Sequence, residues 1–234
     1  KKMYKDIIHD INPFGLTKKK KEKFFFKNIS NLEKYHTKNC KEYKNIVRKT
    51  KHSSISKIED LNFMPTSIFK NLDLKSVNEE SVHRKLNSSG TSNQNVSKIF
   101  LDKFTALSQT KSLINIVNNF IGNKRLPMII IERKNQKNIR NIMNASSAAI
   151  KGFSIFGSDY FYLLNDNLSI DQIGLKKFLK KHKSSNFLIF GFTYMIWKYF
   201  YLNLNPINFE NSILIHGGGW KKLADKKVSN KTFN

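Results

Sequence analysis

Two stretches of the chain carry residue types suited to phosphate and to flat aromatic ligands. The first is SSGTS (Ser88, Ser89, Gly90, Thr91 and Ser92), with Lys98 a few residues on. Its hydroxyls can donate hydrogen bonds to phosphate oxygens, Gly90 lets backbone amides approach unobstructed, and Lys98 can neutralise negative charge. The spacing is not that of the Walker loop, which needs two glycines and a Lys-Ser/Thr pair opening a helix. Ser, Gly and Asn also make ordinary hairpin loops, so a phosphate cradle and a plain loop both stay open. The second stretch is HGGGWKK, in which Gly217, Gly218 and Gly219 clear side chains from one spot at the end of the apolar run SILI. A flat ligand or another backbone can lie against such a gap. Trp220 adds a stacking face, Lys221 a charge and His216 a titratable ring. A strand-to-turn bulge with an ordinary histidine is the plainer reading, but three glycines exceed what a turn needs. Phe190, Gly191 and Phe192, followed by Thr193, give a weaker signal. The glycine opens an apolar pocket for an acyl chain or lets a helix pack on a sheet, and spacing alone favours packing.

From Ser81 onward, short apolar runs alternate with amphipathic stretches. A strand precedes Ser88, and Lys98 to Leu101 reads as another. Asp102 then caps a helix with Phe104, Leu107, Ile114, Val117 and Ile121 on one face, closed by Gly122. Leu126 to Glu132 is apolar on both faces, as in a strand buried within a parallel sheet. Helices are expected over Ile139–Ile150, Asp171–His182 and Thr193–Leu204, and strands over Tyr160–Leu164, Asn186–Phe192 and Ser212–Gly218. The alternation implies an α/β fold with a mostly parallel sheet and crossover helices. Ligands gather at the carboxyl ends of such strands, so the three unusual loops are expected to share one sheet edge. Upstream, Ser30 and Glu33 form a capping-box signature for a helix from Asn31 to Lys49. Cys40 within that helix reads as a packing thiol.

With 234 residues, 39% hydrophobic and 12% aromatic, the chain can bury a full core. A single cysteine excludes an intramolecular disulfide and a cysteine-based zinc site, and suits a reducing compartment such as the cytoplasm. No apolar run reaches the roughly 18 residues of a membrane span. The formal net charge is +25, the footprint of nucleic-acid or anionic-membrane binding. Lysine far outnumbers arginine, however, and is spread along the chain, which favours a solvated surface shaped by AT-rich coding. A basic nucleic-acid-binding module is therefore the lesser reading. A membrane-surface role for KKKKEKFFFK (Lys18 to Lys27) is another.

The order SSGTS…SKIFLDKFT, RLPMIII, IKGFSIFG, FLIFGFTYMIW and ILIHGGGWKKL resembles the acyl-protein synthetase family, the LuxE-type branch of the acyl-adenylate-forming enzymes. The resemblance begins near Leu61, where FMPTSIFKNLDLKSV is similar to the segment ahead of the family's loop, and runs to Phe233. It implies a helical, basic extension over residues 1–60 and the N-terminal part of an adenylating domain over 61–234. It also implies the reaction. A fatty or other carboxylate attacks the α-phosphate of Mg²⁺-bound ATP, releasing pyrophosphate, and the acyl group passes to a thiol of an acceptor protein or reductase partner. On this resemblance Ser88 to Ser92 hold the leaving pyrophosphate, with Asn93 where many relatives carry a second glycine. Lys98 is the motif's trailing base, and with His216 a catalytic candidate. Gly217, Gly218 and Gly219 lie against adenine, and Trp220 and Lys221 join the nucleotide site. Apart from the resemblance, Phe190, Gly191 and Phe192 are expected to border the acyl chain. The family's later motifs, including a metal-binding acid and a catalytic lysine domain, have no counterpart before Asn234. Cys40 is at the wrong end to match the family's acyl-accepting cysteine. The expectation is an N-terminal fragment of such an enzyme.

Overall fold

The computed structural model describes residues 12–50, 56–87, 96–134, 145–203, 209–220, 225 and 227–233. The chain forms two compact units, one of Lys1–Gly122 with Ile142–Ala145, the other of Asn123–Asn141 with Ser146–Asn234. The division falls just ahead of the apolar run LPMIIIE.

The first unit opens with two helices, α1 (Lys18–Asn39) and α2 (Lys41–Thr50). One helix from Asn31 was expected, yet α1 already includes the lysine run, because unbranched lysines favour helix. Ser30 is therefore mid-helix, and its Oγ donates to the Phe26 carbonyl at 2.7 Å instead of capping. Glu33 accepts from Asn62 Nδ2. The helix breaks at Cys40, whose extended backbone separates α1 from α2 and whose thiol is buried. Strands β1 (Val82–Asn87) and β2 (Lys98–Asp102) pair antiparallel, with Asn87 opposite Lys98. Asp102 caps α3 (Lys103–Ile121), accepting from the Thr105 amide at 2.7 Å. The buried face of α3 carries Ala106 and Val117, whereas Phe104, Leu107 and Ile114 are exposed, so the expected stripe is rotated.

The second unit is the α/β sheet. Its strands are β3 (Leu126–Arg133), β4 (Gly157–Leu164), β5 (Phe187–Phe192) and β6 (Ser212–Gly217), in the order β4-β3-β5-β6 and all parallel. Helix α4 (Ala145–Phe153) follows β3 and α5 (Gln172–Lys181) follows β4. Asp171 caps α5 by accepting from the Gly174 amide at 2.8 Å. The segment after β5 is helical but uneven: α over Thr193–Met195, π over Ile196–Phe200 and 3-10 over Tyr201–Asn203. One face of the sheet packs Ile129, Ile131 and Ile189 against Leu175, Phe178, Met195, Ile196 and Phe200. Ile129, Leu175 and Leu188 are fully buried, each contributing roughly 2 kcal/mol of hydrophobic stabilisation. On the other face Phe190 stacks on Phe153, centroids 4.5 Å apart. The chain goes one way from β3 to β4 and returns to the other side for β5, so it switches direction between β3 and β5, where α/β sheets hold ligands. Among the described residues no helix is long and apolar enough to cross a membrane.

Gly191 sits at the tightest point of this packing. A Cβ there would lie 3.0 Å from Ile131 Cβ and 3.1 Å from Ile196 Cγ1. Gly191→Ala is expected to lower unfolding free energy by about 1–3 kcal/mol through overpacking, read as a reduced denaturation midpoint. A midpoint equal to that of the unaltered protein would contradict this packing.

Candidate functional site

Strands β5 and β6 run in register to their ends, Gly191 beside His216 and Phe192 beside Gly217. β6 is the outer strand of the sheet, and a side chain from β5's continuation reaches its last carbonyls. Thr193 Oγ lies 3.0 Å from the Gly218 carbonyl oxygen and 3.2 Å from that of Gly217. The same oxygen is 3.2 Å from His216 Nδ1. Gly218 has φ +78°, in the left-handed region that lets β6 turn sharply away. Among the described residues, no heavy atom lies within 4 Å of a Cβ position at Gly217 or Gly219.

The opening is a cup of about 420 Å³ lined by Thr193, His216, Gly218, Trp220, Lys227, Asn230 and Phe233. Its wall is aromatic. The Phe233 ring lies 4.9 Å from His216 and 6.0 Å from Trp220, and Trp220 stands edge-on to Trp197 at 5.8 Å. Lys227 contributes positive charge, and Asn230 both a donor and an acceptor. Glu132 and Thr193 are the buried polar side chains among the described residues; Glu132 is the penultimate residue of β3, and Thr193 directly follows the adjacent strand β5. Glu132 accepts from the Arg133 amide at 3.0 Å. Burial, aided by the nearby Glu132 charge, raises the Tyr194 phenol above its ordinary pKa.

The residues expected from sequence fall into three groups. His216, Gly217, Gly218, Gly219 and Trp220 meet at the end of β6, and Lys221 lies outside the described residues. Phe190 and Gly191 are buried in sheet packing, and Gly191 opens no pocket, because Ile131 and Ile196 fill the space beside it. Phe192 is half-buried, its Cδ1 3.1 Å from where a Gly218 Cβ would be. Ser88, Ser89, Gly90, Thr91 and Ser92 also lie outside the described residues. The strands flanking them form their own two-stranded antiparallel sheet, where strands of the parallel sheet were expected. The reason is legible in β1, whose His83, Arg84 and Lys85 are exposed and unsuited to a buried strand. Lys98 opens β2 and pairs with Asp73 at 3.0 Å, holding that carboxyl below its ordinary pKa. Thr193, Lys227, Asn230 and Phe233 were not picked out. Thr193 directly follows FGF, and a hydroxyl after a buried strand was the available signal.

The family description of the acyl-protein synthetases of the LuxE type matches residues 2–234, nearly the whole chain. The chain belongs to the LuxE acyl-protein synthetase family. A long-chain-fatty-acid–luciferin-component ligase of Photorhabdus luminescens is 31% identical over 87 residues, covering 37% of this chain and 75% of that protein. No solved structure matches. As a LuxE-family acyl-protein synthetase the chain is a ligase, and a nucleic-acid or membrane-surface role finds no support in these relatives.

The two outer contrasts within the glycine run are testable in this synthetase. Gly218→Ala strains a left-handed backbone and crowds Phe192, and is expected to cost about 1–2 kcal/mol of stability. Gly217→Ala, with ordinary φ and no described heavy atom near its Cβ position, is expected to stay within about 0.5 kcal/mol. Equal losses in chemical denaturation would contradict the described turn.

Proposed function

We propose that this synthetase activates a long-chain fatty acid with ATP, by way of an acyl-adenylate, and transfers the acyl group to an acceptor protein. The observation that carries the reading is the glycine-fronted, aromatic-walled cup at the carboxyl end of β5 and β6, joined to membership of a ligase family. The adenosine lies against Gly217 and Gly219, with Trp220 as a stacking surface and Lys227 available to a phosphate oxygen. Phe192, whose ring meets Gly218, borders the acid. Phe190 and Gly191 serve by holding that strand end in place. The SSGTS loop, Ser88 to Ser92, is assigned the leaving pyrophosphate on family resemblance, with Lys98 at its trailing end and Lys221 beside the nucleotide.

The chemistry asks little of the protein beyond position and charge. A carboxylate is already a competent nucleophile, so the barrier lies in bringing two anions together and stabilising charge on the departing pyrophosphate. Hydroxyls, backbone amides and lysines aimed at phosphate supply that stabilisation. Among the described residues no three or more His, Cys, Asp or Glu cluster as a metal cage, so Mg²⁺ is assigned to the ATP phosphates it travels with. It shares their negative charge when bound.

The test is pyrophosphate release by the purified protein given ATP and a long-chain fatty acid, dependent on both. Gly217→Ala fills the space assigned to adenosine and is expected to lower kcat/KM at least about tenfold with folding intact. Ser89→Ala is expected to suppress release as well. Unchanged kcat/KM in both variants would defeat the site assignment, and acid-independent release would defeat the reaction.

A further inference from the structure

Thr193 Oγ has three close polar neighbours, the carbonyl oxygens of Gly217 and Gly218 and His216 Nδ1. A hydroxyl owns one proton, and carbonyl oxygens only accept. If that proton pointed at Nδ1, both carbonyls would face hydroxyl lone pairs at 3.0–3.2 Å. The proton therefore goes to the carbonyls, and Nδ1–H donates to Oγ. In the neutral imidazole the remaining lone pair is then on Nε2, which has no hydrogen-bond partner among the described residues. His216 lines the cup, and with Nδ1 held by Thr193 the Nε2 edge is the one left for a ligand.

The single Thr193 proton is shared between the Gly217 and Gly218 carbonyls, each of which keeps a lone pair. The side-chain acceptor beside them is His216 Nε2. We propose that Thr193 is a positioning residue that locks His216 in the Nδ1–H tautomer, so that Nε2 accepts from the exocyclic amine of adenine and discriminates against guanine. Guanine presents its O6, an acceptor, where adenine presents that amine, and two lone pairs would meet. Asn230 suits either base, since its amide both donates and accepts. Lys227 only donates, and serves a ring nitrogen or phosphate oxygen of either nucleotide. The inference rests on the nucleotide reading of the cup and adds to it a specific reader of the base.

Two measurements on the full chain test it. Nitrogen NMR of labelled histidine, in mildly alkaline buffer, reports the His216 tautomer in the unaltered protein. The Nδ1–H form is expected, and the Nε2–H form would overturn the proposal whatever the variants do. Calorimetric titration with ATP and with GTP then reads selectivity. ATP is expected to bind at least about tenfold tighter, because guanine's O6 would face the Nε2 lone pair to which adenine's amine donates. Thr193→Val, which removes the hydroxyl at nearly constant shape, is expected to bring the two affinities within about threefold, and Thr193→Ser to restore the preference. A merely structural threonine would weaken both nucleotides alike, so an unchanged ATP-to-GTP ratio in Thr193→Val overturns the proposal. Equal binding of the two by the unaltered protein overturns it too, while leaving the nucleotide site standing. Binding of neither nucleotide brings down the nucleotide reading, and this inference with it.

Discussion

Thr193 Oγ joins the end of β5 to the end of β6, and the rest of the cup is arranged around that junction. At the end of β6 the carbonyls of Gly217 and Gly218 both lie within hydrogen-bond distance of that hydroxyl. One hydroxyl answers both carbonyls and fixes the histidine ring beside them. The glycines stay bare on their outward side, where no described heavy atom lies within 4 Å of a Cβ position at Gly217 or Gly219.

That junction depends in turn on packing behind it. Thr193 begins the irregular helical segment that returns over the sheet, and Gly191 lets this segment approach closely enough for Ile196 to touch the strand. A π turn over Ile196–Phe200, a distortion often found beside functional sites, carries Trp197 toward Trp220 and Phe233. Burial on both sides of β3 and β5 makes the platform rigid. Glu132 and Thr193 then break the apolar pattern at the carboxyl ends of those strands, at the switch point where a ligand's polar groups are best placed.

The parts legible in the sequence were those governed by strong local rules. Residues 126–132 and 186–192 read as buried strands because both faces are apolar, and Asp102 read as a helix cap from position alone. The glycine run declared itself because no turn requires three. What escaped depended on distant partners. Ser30 looks like a cap until the lysine-rich segment ahead of it folds as helix, and nothing local says that Cys40 interrupts that helix. The stripe on α3 was misjudged because several apolar residues there face outward. The strands β1 and β2 were expected in the parallel sheet, but a two-stranded antiparallel sheet is compatible with the same short runs. Thr193 is one threonine after a strand, and its importance follows only from the register that sets Phe192 beside Gly217. Lysine-borne charge, conspicuous in composition, proved the least informative feature. In the described structure a small part of it is shared with local carboxylates, as in Lys98 with Asp73 and Lys181 with Asp159.

The most direct test of the cup as a nucleotide site is residue-resolved amide NMR of the full chain titrated with ATP. The account predicts saturable shifts of the Gly217 and Gly219 amides and of the Trp220 indole, all with one common affinity. ATP binding that shifts other residues and leaves these three unmoved would contradict it.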